Sequence, residues 1–386
     1  MLDDSVIRRL ASWGTGAGTV TTSLYLDVDG RHHPRWADVE RHADHLFRSA
    51  RQQARLAGRD VQAAVEADLD AIRTWLGRGI DRSATRGVAL FSCAGRGLFE
   101  AVALPFPLRD QVLVDPGPDV AQLCEVVATS WSALAVEVDR ERWRVLRLES
   151  DGGAHELDVL DDRAPRTVDV EMELAGFGRH EEELAREHLR RVARVVAAEM
   201  ARRPARHLVL AGTERSVDEL ETYLPRSVVD RIAGRAPLPA APGTRDLVAT
   251  AREIVERAEH ERRSAVLATL RRRAATTGTS VVTGLEATLD ALGSEKVATL
   301  VVERSFEAPG ARCEECGLLV VQAKWCPRCG GPVQRTENVV DAAIVDTFLH
   351  HAVLEPVEDG SLGDLGHIGA LVHKRAATTI GGAGNA

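Results

Sequence analysis

Apolar positions along this chain recur with two periods. From Trp36 to about Leu56, Val39, Ala43, Leu46, Phe47 and Ala50 return at helical spacing, and Val61, Val65, Leu69, Ile72 and Trp75-Leu76 do so again, which predicts two consecutive helices. Shorter β-rich runs surround them. Val20-Thr-Thr-Ser-Leu-Tyr-Leu-Asp27 predicts a strand, and Asp29-Gly30 turns the chain after it. Gly87 to Ser92 and Leu98 to Leu104 flank Gly95-Arg-Gly97 and predict a hairpin. Pro105, Pro107, Pro116 and Pro118 mark an extended exit. These elements make residues 1–128 a first α/β domain.

Residues 129–273 read as a second domain. Ser132 to Val138 and Trp143 to Leu148 predict strands around a turn at Asp139-Arg-Glu-Arg142. Ala175-Gly-Phe-Gly-Arg-His180 reads as a loop, followed by a long helix from Glu181 to about Arg203. His207 to Ala211 predicts a strand ended by Gly212, and Ser216 is placed to cap the helix leading to Tyr223-Leu-Pro225. Pro237, Pro239 and Pro242 predict a stiff link, and Asp246 to Arg273 another long amphipathic helix. Strands alternating with helices imply helices packed on a mixed sheet. Asp169, Glu171 and Glu173 alternate with Val168, Val170, Met172 and Leu174, so these carboxylates read as the wet face of a strand rather than an acid–base pair.

The third domain, residues 274–376, has a helix over Gly284 to Leu292 stopped by Gly293, a strand over Val297 to Val302, and a helix from Asn338 to Val353. A glycine turn running into a strand, Gly366 to His373, closes it. The remaining residues, 377–386, are rich in Gly, Ala and Thr and are expected to be disordered.

Composition sharpens this picture. A chain of 386 residues suggests two or three domains, and 44% hydrophobic with 28% charged residues describes a globular protein. No uncharged apolar run reaches the length of a membrane span, and the acidic start Met1-Leu-Asp-Asp lacks the features of a secretory signal. A cytoplasmic location is expected. Net charge of −9 argues against a surface that is basic all over, but not against a local basic face. Only Lys296, Lys324 and Lys374 are lysines, so nearly every cation is the guanidinium fork that suits phosphate.

One stretch names its chemistry from spacing. Cys313-Glu-Glu-Cys316 and Cys326-Pro-Arg-Cys329 are two knuckles, each followed by a glycine where the chain folds back. Four thiolates complete a tetrahedral Zn²⁺ shell, and such a closed shell leaves no position for a reacting water, so one structural zinc in a ribbon over 310–335 is expected. Two disulfides or redox pairs are the rival reading. Cys93 and Cys124 sit among apolar residues and read as core. His350 and His351 read as helix surface rather than extra ligands.

The order of pieces resembles the archaeal and eukaryotic class-1 peptide-chain release factors and Pelota, and more closely their bacterial branch of Balon-like ribosome hibernation factors. Four stretches carry the resemblance: Thr22-Ser-Leu-Tyr-Leu26; Ala175 to His180 with its helix; Thr277-Gly278 with Gly284 to Leu292 and Val297 to Val302; and the four cysteines followed by Gly366-His-Ile-Gly369. It spans nearly the whole chain and implies an RNase H-like middle domain and an L7Ae-like C-terminal domain with a zinc insertion, where family members meet a translational GTPase.

The departures from the family decide the expected function. The family's catalytic Gly-Gly-Gln loop corresponds to a stretch with neither Gln nor a Gly-Gly pair, and no Asn-Ile-Lys-Ser codon-reading motif follows Asp27. No catalytic residue is assigned. The expected RNA-binding set is Gly176, Gly178, Arg179 and His180, with Arg186, Arg190 and Arg194 at i, i+4 and i+8 on one helix face; Arg202, Arg203 and Arg206 extend its basic end. A solvated face with pairs such as Glu182–Arg186 is the competing reading of that stripe. The chain is therefore expected to bind ribosomal RNA or tRNA in the vacant A site as a hibernation or rescue factor, monomeric off the ribosome. Peptidyl-tRNA hydrolysis or peptide release through a divergent loop is the alternative.

Overall fold

A computed structural model describes residues 4–13, 19–139, 142–161, 174–237, 243–276 and 280–373. Two compact units emerge: residues 130–266, and residues 2–129 together with 267–386. The chain is mixed α/β throughout. Several stretches singled out in the sequence lie outside the described residues: Asp169 to Glu173, Pro239 and Pro242, Thr277-Gly278 and the segment 377–386.

The first segment contains α1 (Asp4–Ala11), β1 (Thr21–Asp27), α2 (Trp36–Ala57), α3 (Arg59–Leu76), β2 (Gly87–Cys93), β3 (Leu98–Leu104), β4 (Gln111–Asp115) and α4 (Ala121–Thr129). The strands form an antiparallel sheet in the order β3-β2-β1-β4. Both faces are covered, so β1 and β2 are buried almost throughout and do not alternate between core and solvent. Leu24, Leu26, Val88 and Leu90 pack on Val39, Phe47, Leu69 and Ile72 of the two helices. Tyr25, Ala89 and Phe91 point the other way, into a core shared with α1, α4 and the third segment. Asp68 is buried beneath the sheet with its carboxylate satisfied by Thr22 Oγ1, Ser92 Oγ and the Ala94 N–H at 2.7–3.0 Å. The two helices are separated only by Gly58, whose φ of +120° breaks them.

The middle unit contains β5 (Ser132–Val138), β6 (Arg142–Glu149), β7 (Ala154–Asp161), α5 (Leu174–Arg202), β8 (His207–Gly212), α6 (Glu214–Tyr223), α7 (Arg226–Val229), β9 (Ile232–Pro237) and α8 (Thr244–Ala274), the last helix ending beyond the unit. The sheet order is β7-β6-β5-β8-β9, antiparallel from β7 to β5 and parallel from β5 through β8 to β9. Alternation along β5 sends Leu134, Val136 and Val138 toward Leu189, Val192 and Val196 of α5 and Leu220 of α6. Ala133 and Ala135 face Leu247, Ala251 and Val255 of α8. Gly212 has φ +140°, and a Cβ there would meet the Val138 carbonyl oxygen at 2.0 Å, so the close β5–β8 approach requires glycine.

Two local expectations change. The stretch Ala175 to His180, expected as a loop, forms the first turns of α5. Each residue added to an existing helix gains a hydrogen bond, and over a helix this long that outweighs the cost of Gly176 and Gly178. The cap of α6 is Thr213, whose Oγ1 accepts the Ser216 N–H at 3.3 Å; Ser216 is one turn inside.

The third segment contains β10 (Val281–Thr283), α9 (Leu285–Gly293), β11 (Val297–Glu303), β12 (Gly310–Cys313), β13 (Leu319–Val320), β14 (Val333–Thr336), α10 (Val339–Leu349), β15 (Val353–Val357) and β16 (Ile368–Val372). β10-β16-β11-β15 form one sheet, and β13-β12-β14 a separate small one that carries the cysteines. Leu300, Val302, Ile344 and Ile368 join Tyr25, Phe91 and Leu123 in one core. Arg8 donates to the Leu349 carbonyl at 3.2 Å and Arg109 to that of Arg304, closing the same seam.

Leu300 is fully buried in this seam. Leu300→Ala is expected to cost about 2–5 kcal/mol. Amide exchange in β1 and β2 should accelerate together with that in β11; unchanged protection in β1 and β2 would mean that the two segments have independent cores.

Candidate nucleic-acid interface and metal centre

Helix α5 buries Leu189, Val192, Ala193 and Val196 against the sheet, so the 3.6-residue period leaves Arg186, Arg190 and Arg194 exposed. The first two are not bare cations. Arg186 lies 3.3 Å from Glu183, 3.8 Å from Glu182 and 3.8 Å from Glu219 of α6. Arg190 pairs with Glu183 at 3.3 Å, and its guanidinium sits 5.3 Å from the centre of the Tyr223 ring. Arg194 Nε donates to the Arg190 carbonyl at 3.4 Å. Between α5 and the α6–α7 corner is an open concavity of about 550 Å³, with Glu187, Arg190, Arg194 and Tyr223 on its walls. Exposed pairs of this kind contribute little to stability, so the guanidiniums can exchange a carboxylate for a phosphate at small cost. Gly176, Gly178, Arg179 and His180 fall in the first two turns of the same helix.

The basic end of α5 is committed to structure. Arg202 pairs with Glu199 at 2.9 Å, Arg203 with Glu149 at 3.1 Å and Arg206 with Glu259 at 3.2 Å. Glu259, on α8, is 1% exposed and also meets His207 Nε2 at 2.6 Å and Arg262 at 3.1 Å. Burial alone would raise its pKa, but the His207 hydrogen bond and the two guanidiniums outweigh that and hold it at about 2. Nothing in the spacing of these residues announced the cluster, because its members come from β8, α8 and the link between α5 and β8.

The four cysteines converge as their spacing required. Their sulfurs lie within 4.8 Å of one another, with Cys313–Cys329 and Cys316–Cys326 each at 3.5 Å. Two tight turns, marked by Gly317 at φ +73° and Gly330 at φ +74°, aim backbone N–H groups at sulfur: Cys316 N to Cys313 Sγ and Gly331 N to Cys329 Sγ, both 3.4 Å. A backbone N–H from Cys329 draws the Cys326 thiol down to about 6, while the neighbouring sulfurs raise the Cys316 thiol and push that of Cys329 up to about 12. Four thiolates so placed can hold one metal ion. Next to the cluster, Arg328 donates to the Gly293 carbonyl and Arg312 pairs with Asp346 at 3.1 Å. Leu319 packs with Leu289, Val339 and Ala343. His350 Nδ1 is 2.7 Å from the Asp346 carbonyl and His351 Nδ1 3.1 Å from Arg8, so both have partners away from the cysteines.

Residues 118–263 match the model of bacterial archaeo-eukaryotic release factor family 10. Over these residues the expected resemblance to the release factors is borne out. The match to the family covers less than half of the chain and takes in nearly all of the middle unit, including every α5 residue named above; the four clustered cysteines lie outside it. Among solved structures, the archaeal translation termination factor aRF1 aligns over 97% of this chain and 99% of its own, at 16% identity and a TM-score of 0.28. Archaeoglobus fulgidus Pelota aligns over 74% and 78%, at 14% identity and 0.30. The archaeal Pelota of a ribosome-bound assembly with ABCE1 aligns over 75% and 78%, at 16% identity and 0.41. Superpositions this loose carry no argument about sites or partners. No curated protein matches the chain significantly. Among the described residues, no helix is long and apolar enough to cross a membrane.

The Glu259 cluster gives the release-factor-like unit a defined acid sensitivity. A carboxyl depressed from 4.5 to about 2 contributes stability that is present above about pH 4.5 and is lost as pH falls toward 2. Acid unfolding of residues 130–266 should therefore flatten across that window in Glu259→Gln, measured by urea midpoint against pH; parallel wild-type and variant curves would contradict it.

Proposed function

We propose that this chain is a ribosome-binding factor of release-factor type that occupies the vacant A site without cleaving peptidyl-tRNA. The observation that carries the reading is the match of the middle unit to a bacterial release-factor family. The expected division into domains 1–128, 129–273 and 274–376 is retained, with an RNase H-like middle domain and an L7Ae-like third domain. The middle sheet, whose strands lie in the order third, second, first, fourth, fifth with the first three antiparallel, supports the RNase H-like reading.

Release chemistry needs a side chain that positions water against an ester. Leu174-Ala-Gly-Phe-Gly-Arg-His180 contains no glutamine, and its backbone is helical. Gly176 and Gly178 each weaken that helix by about 1 kcal/mol relative to alanine, making its first turns the easiest to unwind against RNA. Arg179 and His180 would meet RNA there, and Arg186, Arg190 and Arg194 would follow phosphates along the exposed face by releasing Glu182, Glu183 and Glu219. Occupancy of an idle ribosome, for hibernation or rescue, is the role consistent with binding without hydrolysis. A translational GTPase as partner of the third domain, a cytoplasmic location and a monomeric state off the ribosome belong to the same reading.

The metal of the four-cysteine centre is assigned as Zn²⁺. A tetrahedral shell with Zn–S of about 2.3 Å has sulfurs roughly 3.8 Å apart, close to the 3.5 Å separations found. Its four thiolates leave no open position, so its role is to fold the β12–β14 ribbon.

Binding is tested by co-sedimentation with 70S ribosomes and 50S subunits at low salt; absence of association would sink the proposal. Arg186→Ala/Arg190→Ala/Arg194→Ala should weaken association and reduce the slope of log affinity against log salt by about 2–3, at roughly 0.7–0.9 for each phosphate no longer neutralised. An unchanged slope would assign these arginines to intrachain pairing only. In a peptide-release assay on the same ribosomes the chain should be inactive, and release that disappears in Arg179→Ala or His180→Ala would support the enzymatic alternative instead. For the zinc centre, Cys316→Ser/Cys329→Ser should loosen residues 310–336 in hydrogen exchange and leave 130–266 protected, whereas global unfolding would contradict a local role.

A further inference from the structure

The first segment gathers imidazoles and carboxylates that neither the RNA reading nor the cysteine centre uses. β1 ends at Asp27, the turn after it carries His32 and His33, α2 carries His42, and Asp110 immediately precedes β4. The ligating atoms of His33, His42 and Asp110 lie within 4.8 Å of one another. The His33 and His42 rings are 4.6 Å apart between centres, inclined at 61°. His42 Nδ1 is 2.7 Å from Asp110 Oδ2. Asp27 Oδ2 stands 2.7 Å from His32 Nδ1 and 3.9 Å from His33 Nε2.

The surroundings hold these groups in place. Asp110 Oδ1 accepts the Asp27 N–H at 2.7 Å, which leaves Oδ2 for the cluster. Asp27 Oδ1 accepts the Asp29 N–H at 2.8 Å. The buried Asp29 carboxylate takes the Arg31 N–H and guanidinium at 2.8–3.2 Å, shaping the turn. Arg82 donates to the Val28 carbonyl at 2.8 Å and also to that of His33, clamping the backbone on either side. The side chains of His33 and Asp27 are 13% and 14% exposed, whereas that of His42 is 49% exposed, so the cluster has a packed back and an open front. Hydrogen bonding accounts for the His42–Asp110 and His32–Asp27 pairs. It does not account for His33, a largely enclosed imidazole that approaches Asp27 only at 3.9 Å, beyond hydrogen-bond range.

We propose that His33, His42 and Asp110 bind one divalent transition-metal ion, with the Asp27 carboxylate beyond His33 as an outer support. Two imidazole nitrogens with carboxylate oxygen suit Zn²⁺ and its first-row neighbours, whereas Mg²⁺ and Ca²⁺ favour all-oxygen shells. Bonds of about 2.0–2.1 Å in a tetrahedral shell place ligand atoms roughly 3.3–3.5 Å apart. The separations here lie on both sides of that value, so binding requires His42 and Asp110 to part slightly and His33 to draw in. The Asp110 carboxylate and the nearby Asp27 carboxylate offset the ion's charge. The backbone N–H bond from Asp27 to Asp110 Oδ1 is the kind of outer support that fixes a ligating carboxylate. The ion would tie the end of β1, its following turn, α2 and the approach to β4 together, with its open side facing solvent. This site is independent of the cysteine centre.

The test uses the full chain and metal alone. Wild type loaded with Zn²⁺ and desalted should retain two ions per chain by elemental analysis, and His33→Ala/His42→Ala should retain one. Cys316→Ser/Cys329→Ser, titrated with Co²⁺, should show ligand-field absorption without thiolate-to-cobalt charge transfer, and adding the two His substitutions should abolish it. Asp110→Asn, which keeps the side chain's shape but removes the charged ligand, should weaken Co²⁺ binding by at least about 10–100-fold with unchanged circular dichroism, since loss of a ligand costs no less than loss of an outer support. Equal zinc content in wild type and the His variant, or a Co²⁺ spectrum that survives the His substitutions, would overturn the proposal. If only the cysteine assignment were wrong, wild type would hold a single ion lost with the histidines and not with the cysteines.

Discussion

Burial of Tyr25, Phe91 and Leu123 against Leu300, Val302, Ile344 and Ile368 dictates how the whole chain is laid out. It forces the two ends of the chain into one unit, so the chain leaves that unit near residue 129 and rejoins it near 267. Everything between must fold on its own sheet. The middle unit does so by covering β5 and β8 on both faces, with α5 and α6 on one side and α8 on the other. Two-sided burial needs small and branched side chains in close register. That explains the alternation of Ala133 and Ala135 with Leu134 and Val136, and the requirement for glycine at 212.

Electrostatics then sorts the many arginines by role. Those at the C-terminal end of α5 are tied to acids by burial: Arg203 to Glu149, and Arg206 to Glu259, whose carboxyl is held ionised by three partners. Arg186 and Arg190 lie on the exposed face and meet carboxylates that are themselves half or more exposed, apart from Glu219. A pair in water is cheap to exchange and a pair in the interior is not. These arginines are all about half exposed, so the difference between them is set by how deeply the paired acid is buried. On the proposed reading, the stripe pairs with its glutamates in the free chain and would exchange them for phosphates on RNA.

Legibility in the sequence followed the same physics. The long helices α2, α3 and α8 and the buried strands β1, β2, β5 and β8 could be read because each shows a full apolar period or run. The strands β7 and β9 could not. Both are sheet edges; β7 carries His155, Glu156 and Asp158, and β9 carries Gly234 and Pro237, which weaken the strand signal. The opening turns of α5 were hidden by Gly176 and Gly178, which read locally as a loop while the helix behind them sets the conformation. Cysteine spacing announced the four-sulfur cluster because all four residues lie within one short stretch. The His33–His42–Asp110 cluster was invisible because Asp110 arrives from far along the chain through the pairing of β1 with β4.

Function turns on where the middle unit docks. The decisive measurement is a cryo-EM map of vacant 70S ribosomes incubated with the full chain. Density for the chain is expected in the A site, with the N-terminal end of α5 directed at the peptidyl-transferase centre and Arg186, Arg190 and Arg194 against ribosomal RNA. Density at another site, or ribosomes whose A sites stay empty at saturating protein, would contradict an A-site factor.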